Sequence, residues 1–288
     1  YGDHRDLHLS LLRQRQMCIR DRPYEISSPY LEAELFDIKF AQSADVMYIC
    51  HPNHPAKKLS RTGHTSWSLT NVDFTDGPYM DENISSTTIS TSAHTVGTGR
   101  TLTASSTTGI NDNTGFQTTD VGRLIRFRDG YGKITARTST TVVTIEILED
   151  MGSSSSSANW SLGAFSETTG HPSCVTFFEQ RLVFAATLSQ PQTIFFSKSG
   201  DYENMDENRG GTIADDDAII YTIASNQVNA IRFMTATRTL IIGRSGPLNT
   251  IDFVTIATAG NAVDFGDDIF AILNVAGSSD SHGGLGGF

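Results

Sequence analysis

Apolar and polar residues alternate over short runs along most of this chain, and Pro, Asn, Asp and Gly separate the runs. Successive side chains of a strand point to opposite faces, so the alternation predicts short strands and the separators predict tight turns. In the first part of the chain the pattern places strands at 38–40, 46–50, 56–60 and 66–69, after a short acidic, Leu-rich turn near 31–35. The densest apolar run is SCVTFFEQRLVFAAT, residues 173–187, in which two strand-like halves meet at the polar pivot Glu179-Gln180-Arg181.

That run has relatives. Ile38-Lys-Phe40, a pivot, the strand 46–50, Pro55 and a further strand follow the plan of Val175-Thr-Phe177, a pivot, the strand 182–186, Pro191 and the strand 193–197. Ile231-Arg-Phe233, a pivot, the strand 240–243 and Gly246 make a third copy. The alternation puts the apolar residue and the Phe of each copy on one face, so Phe40, Phe177 and Phe233 are expected in the core. Copies two and three start 56 residues apart, copies one and two 137 apart.

The surplus corresponds to a block of different character, residues 85–165, which opens on a Ser/Thr tract and continues as VGRLIRFRDGYGKITARTSTTVVTIEILEDM. Strands are predicted there at 124–128, 132–137 and 141–148, with Asp129-Gly130 as a hairpin turn and 153–157 as a flexible tip. Repeats of this length, each with three or four short strands, have an apolar face that only a neighbour can bury, as in radially stacked sheets. The predicted fold class is therefore all-β. It is a partial β-propeller-like repeat of short antiparallel strands at 23–84 and 166–246, interrupted by a small β-barrel insert at 85–165. A β-sandwich of unrelated hairpins is the competing architecture. Fewer than four blades cannot close a ring, so the array is expected to be open.

Composition narrows the function classes. At 288 residues a substantial core is available, and abundant Thr, Ser and Gly with only 18% charged residues suit strands and turns. No run approaches the roughly 18 apolar residues of a membrane span. A net charge of −11 without a basic stripe argues against a nucleic-acid wrapper, although an acidic wall would let DNA slide past as non-specific cargo. Cys18, Cys50 and Cys174 follow no CxxC spacing and are expected to be plain thiols. Residues 1–22 differ from the rest: they hold five Arg against three Asp, so the remainder carries −13. Their QMCIRDR back-translates to CAG-ATG-TGT-ATA-AGA-GAC-AG, which resembles a transposon-end adapter from sequencing libraries, and 1–22 are expected to be a non-native leader. Residues 247–288 leave the repeat pattern and are expected to be a frameshifted or truncated end.

Candidate chemistry is sparse. Asp201, Glu203, Asp206 and Glu207, followed by Asp215-Asp216-Asp217, are the densest carboxylates. They lack the alternate-position spacing of a calcium loop, so a solvated acidic loop is expected; a glycosidase would need a defined carboxylate separation. His51-Pro-Asn-His54 offers two imidazoles, but Pro52 and Pro55 preclude a helix that would align them, and a turn at a strand end is expected. Gly97-Thr-Gly-Arg100 lacks the helix start of a phosphate cradle, and neither a Gly-x-Ser-x-Gly elbow nor a P-loop is present. No catalytic, cofactor or metal residues are assigned, and an enzyme is not expected. Phe127, Tyr131 and Trp160 are the aromatic candidates for a glycan-binding insert, and Asp216 is the residue that a carbohydrate-active enzyme would be tested by.

Three stretches carry a family resemblance: PYLEAELFDIKFAQSADVMYICHPNHPAKKLSRTGHTSWSLTNVDFTDGPYMDEN, PSCVTFFEQRLVFAATLSQPQTIFFSKSGDYENM and DDDAIIYTIASNQVNAIRFM. Together they resemble the tail tubular B, or nozzle, proteins of short-tailed bacteriophages, over about residues 23–245. The insert resembles the β-barrel of the first catalytic-cysteine half-domain of ubiquitin-activating enzymes, but holds no cysteine. The resemblance implies a virion subunit assembled with copies of itself into a ring, a hexamer, beside adaptor, portal and tail fibre proteins. Genomic DNA would leave through its lumen.

Overall fold

The computed structural model describes residues 24–209, 211–224 and 228–245, together with the backbone of two later strands at 250–254 and 263–267. The proposed leader at 1–22 lies outside the described residues.

Four antiparallel sheets account for nearly all regular structure, and three of them share one plan. The first is a meander of β1 (Lys39–Ser43), β2 (Val46–His51), β3 (His54–Gly63) and β4 (Ser66–Asn71), each strand pairing with the next. A 3-10 turn, Glu32–Asp37, precedes it. The insert follows, with β5 (Ile89–Thr91), β6 (Gly97–Ala104), β7 (Leu124–Phe127), β8 (Gly130–Arg137), β9 (Val142–Ile147) and β10 (Trp160–Leu162). A second meander comprises β11 (Cys174–Phe178), β12 (Arg181–Ala185), β13 (Thr193–Phe196) and β14 (Ile219–Thr222). The third runs through β15 (Ile231–Ala236), β16 (Leu240–Arg244), β17 (Thr250–Val254) and β18 (Val263–Asp267). Its last two strands lie past the boundary drawn at 246.

The pivots of the first two copies are two-residue hairpin turns. Glu179 and Gln180 both adopt positive φ, 45° and 60°, the turn handedness that matches strand twist. Ala44 does the same, at 51°, in the corresponding turn of the first sheet. Aligning the two turns sets Phe40 against Val175, Met47 against Leu182 and Ile49 against Phe184. The sequence pattern had matched Phe40 with Phe177, two residues away; an even shift keeps the face and changes only the position.

The sheets stack with their first strands side by side, β1 next to β11 and β11 next to β15. The middle sheet is covered on both faces. Val175, Leu182, Phe184 and Phe195 pack against Tyr48, Cys50 and Ala56 of the first sheet. From the opposite face, Phe178, Val183, Ala185, Ile194 and Phe196 pack against Ile231, Leu240 and Ile242 of the third. This explains the density of the 173–187 run: a strand with no solvent face has no reason to alternate. All five residues of β12 and all four of β13 are buried. The arrangement is that of a partial, propeller-like array of four-stranded blades.

The expected Phe core needs correction in two of three places. Phe40 is 63% exposed, because no sheet among the described residues covers that side of the first meander. Phe177 is half-buried between sheets, edge-on to Tyr48 and Tyr202. Phe233 is also half-buried, but on the face away from the middle sheet, its ring against Gly243 where no Cβ would fit. A bulge between Ile231 and Phe233 is responsible: an extra residue reverses the side on which later side chains fall.

In the insert, six strands in the order β10-β7-β8-β9-β6-β5 curl around one core that includes Ile89, Leu102, Phe127, Ile145 and Trp160. The edges approach each other, since Ile89 exchanges two backbone hydrogen bonds of 2.8 and 2.9 Å with Ser157, just before β10. The β7–β8 turn falls one residue earlier than predicted. Phe127 pairs with Gly130, so Arg128 (φ 56°) and Asp129 form the turn. Gly130 serves a different need: a Cβ there would strike the carbonyl oxygens of Glu149 and Asp150.

Candidate functional site

The first sheet presents an uncovered apolar face. Register puts Phe40, Met47, Ile49, Leu59, Trp67 and Leu69 on one side of β1 to β4, opposite the side that packs on the middle sheet, with Gln42, Lys57, Arg61 and Asn71 between them and Arg61 over the Trp67 ring. All six apolar residues are partly or largely exposed. Their counterparts on the middle sheet, including Val175, Leu182 and Phe184, are buried by the preceding sheet. Leu31, just before the 3-10 turn, and Leu35 and Phe36 within it are also exposed. Exposed apolar residues that share one face mark association surfaces.

The carboxylate-rich loop is occupied internally. Lys198 Nζ lies 3.2 Å from Asp206 and 3.1 Å from Asp217, and Asp217 accepts the Ala214 N–H at 2.8 Å. Glu203 accepts from Tyr48 Oη at 2.9 Å and from Lys58 Nζ at 2.5 Å, which ties the loop to the first sheet. Arg209 pairs with Glu207. Arg181, the third pivot residue, is buried, and its guanidinium donates to the carbonyls of Ser197, Asp215 and Asp217. Asp201, Asp215 and Asp216 remain exposed. The loop is held by Lys58 of β3, Arg181 of β12, Lys198 just past β13 and its own Arg209, which makes it a structural bracket.

The insert's aromatic candidates for glycan binding are also internal. Phe127 and Trp160 are opposite one another on paired strands in the insert core, and Trp160 Nε1 donates to the Thr87 carbonyl at 2.9 Å. Tyr131 is buried with Tyr79 and Leu124 at the junction to the sheet array. None of the three offers a ring face to a sugar. A cleft of about 60 Å³ at the same junction, lined by Val72, Phe74, Pro78, Leu124 and Phe165 among others, has room for a few waters at most. The Gly97–Arg100 stretch lies within β6.

At the junction, Asp76 is buried and accepts the Tyr79 hydroxyl at 2.7 Å, with Arg126 3.9 Å away. Burial pushes the Asp76 carboxyl up to about 6, although Tyr79 and Arg126 oppose it. Its unfolded value is about 3.9, so the folded state holds the proton more tightly. The resulting stabilisation is complete below about pH 4 and is lost as pH rises through 6, with a size on the order of 2 kcal/mol. Urea titrations at pH 4 and 7 are expected to show that difference, and Asp76→Asn to reduce it; an unchanged pH slope in the variant would reassign the group responsible.

His51 and His54 form the ends of β2 and β3, as the expected turn requires. The fold brings a third group to them. His54 Nε2 lies 2.8 Å from Glu34 Oε2, and ligand atoms of Glu34, His51 and His54 all lie within 4.8 Å of one another. Glu34 also accepts the Leu31 N–H at 2.9 Å; that bond and His54 lower its carboxyl to about 2. His51 is 1% exposed, and burial lowers its imidazole, the main cause. The Tyr30 ring stands edge-on to His54, 5.2 Å between centroids, and burial raises its phenol to about 12.

No family model and no curated protein matches this chain. The functional reading therefore rests on the residues and their arrangement.

Cys50 and Cys174 are buried free thiols, and burial pushes both up. Cys18 lies outside the described residues. Sequence reasoning found the histidines but missed Glu34 and Tyr30, which lie 17 or more positions upstream in a segment without strand periodicity. The available signal was the acidic character of that turn, which carries Glu32 and Glu34.

Proposed function

We propose that this chain is a structural subunit of a ring-shaped assembly, the tail nozzle of a short-tailed bacteriophage, through whose lumen DNA passes as non-specific cargo. One observation carries the reading: three four-stranded sheets stack in sequence, and the first leaves a largely apolar face uncovered by any described sheet where its neighbour's equivalent face is buried. Such a face is satisfied by another sheet of the same kind, within the assembly or from a neighbouring copy. The acidic composition suits a passage that does not retain phosphate. In this reading the chain is a scaffold without catalytic residues. It works in the virion beside adaptor, portal and tail fibre proteins, and the resemblance of residues 23–245 to nozzle proteins supplies the specific assignment. Negative-stain microscopy of the full chain, alone and mixed with adaptor and portal proteins, is expected to reveal rings. Particles that stay monomeric in both preparations would count decisively against it.

A further inference from the structure

We propose that Glu34, His51 and His54 form a binding site for a zinc-type divalent cation that fastens the 3-10 turn Glu32–Asp37 to the turn between β2 and β3. Two imidazoles and one carboxylate are a donor set that suits zinc, a borderline-soft ion bound by His nitrogen and carboxylate oxygen. Their ligand atoms already lie within 4.8 Å of one another, so closing on an ion asks for a contraction of an ångström or so. The three groups come from two separate segments of the chain, which a shared ion would join.

A second observation points into the same place. His51 Nε2 is buried and has no hydrogen-bond partner, and the neighbouring Tyr30 hydroxyl is likewise buried without one. Buried polar atoms are normally satisfied, so two orphans beside a His–Glu pair signal a missing partner, which becomes a cation for His51 Nε2 once its proton moves to Nδ1. The surroundings are also those of a supported ligand shell. The Leu31 N–H holds the Glu34 carboxylate at 2.9 Å, and the Tyr30 ring packs against both imidazoles.

Binding has a specific structural requirement. The Asn53 N–H now donates to His51 Nδ1 at 3.1 Å, which puts the proton of the neutral ring on Nε2. A ring that coordinates through Nε2 carries its proton on Nδ1 instead, so loading must break the Asn53 bond and rearrange this turn. That rearrangement separates the proposed site from metal bound at the chain's other histidines.

The test uses the full chain after chelation, titrated with Zn²⁺ by calorimetry and followed by amide NMR. One equivalent is expected to bind, with a shift of the Asn53 amide. His54→Gln and Glu34→Gln, both at half-buried positions, are each expected to weaken binding by at least about 100-fold, since even supporting residues around a metal typically contribute 10–100-fold. Circular dichroism checks that the variants fold. Absence of zinc binding by the unsubstituted chain, undiminished binding by the folded variants, or saturation with an unmoved Asn53 amide would each overturn the proposal. The nozzle reading does not depend on this result, because ring formation is scored separately.

Discussion

Replacing Phe184 with Ala is expected to lower the unfolding free energy by about 3–5 kcal/mol, the range for deleting a buried aromatic ring. Phe184 is fully buried between the first and middle sheets, where its ring meets Phe74 and Phe165 at centroid distances of 5.5 and 6.0 Å. Few neighbours could collapse into the space, because Phe195 closes the cluster behind Phe165 at 5.0 Å. Chemical denaturation of the full chain measures the effect. Phe40→Ser supplies the contrast: this ring belongs to the equivalent outward face of the first sheet but is 63% exposed, so its loss should cost within about 0.5 kcal/mol in the isolated chain. A loss under 1 kcal/mol at Phe184 would mean that the two sheets do not stack as described. A large loss at Phe40 would mean that its face is already covered.

Asp120→Ala should be as damaging, for an electrostatic reason. Asp120 and Arg123 form an ion pair of 2.9 Å with both side chains completely buried. The second carboxylate oxygen accepts from Asn111 and from the Gln117 N–H, each at 2.7 Å, while Arg123 also reaches the Gly163 carbonyl at 2.7 Å. Removing the carboxylate strands a buried guanidinium, which typically costs 3–5 kcal/mol, far more than the intact pair contributes net. Hydrogen exchange locates the damage. Amides of β6 to β9 are expected to lose protection while β12 and β13 keep theirs. Equal loss in both regions would show that the insert and the array unfold as one unit.

Much of the fold could be read from alternation. The predicted strands at 46–50 and 66–69 lie inside β2 and β4, and the predicted strands of the insert overlap β7, β8 and β9. What alternation cannot reveal is whether a face is covered. Phe40 occupies the face that the buried Val175 occupies in the middle sheet, yet among the described residues no sheet covers it there. Parity also fails at irregularities. The bulge in β15 lets Ile231 and Met234, three residues apart, both face the middle sheet, and Phe233 is turned the other way. Gly130 looked like a turn residue because Asp-Gly favours turns, but it is needed for close approach to two carbonyls. The acidic loop reads as solvated because the groups that hold it lie elsewhere in the sequence: Lys58 on β3, Lys198 just past β13, and Arg181 on β12, which binds its carbonyls. Glu34 is hidden for a different reason: the 3-10 turn that carries it has no period to extrapolate.

The insert leaves the sheet array and rejoins it through neighbouring stretches of chain. Tyr79 forms an antiparallel bridge with Gly163, and the Met80 N–H donates to the Leu162 carbonyl at 2.8 Å. Bridged strands run only about 5 Å apart, so whatever lies between residues 80 and 162 need span no more than that gap. The order in which the blades follow one another is therefore independent of how long the chain runs between those residues, while Leu124, Tyr131 and Arg126 of the module keep it seated on Tyr79 and Asp76.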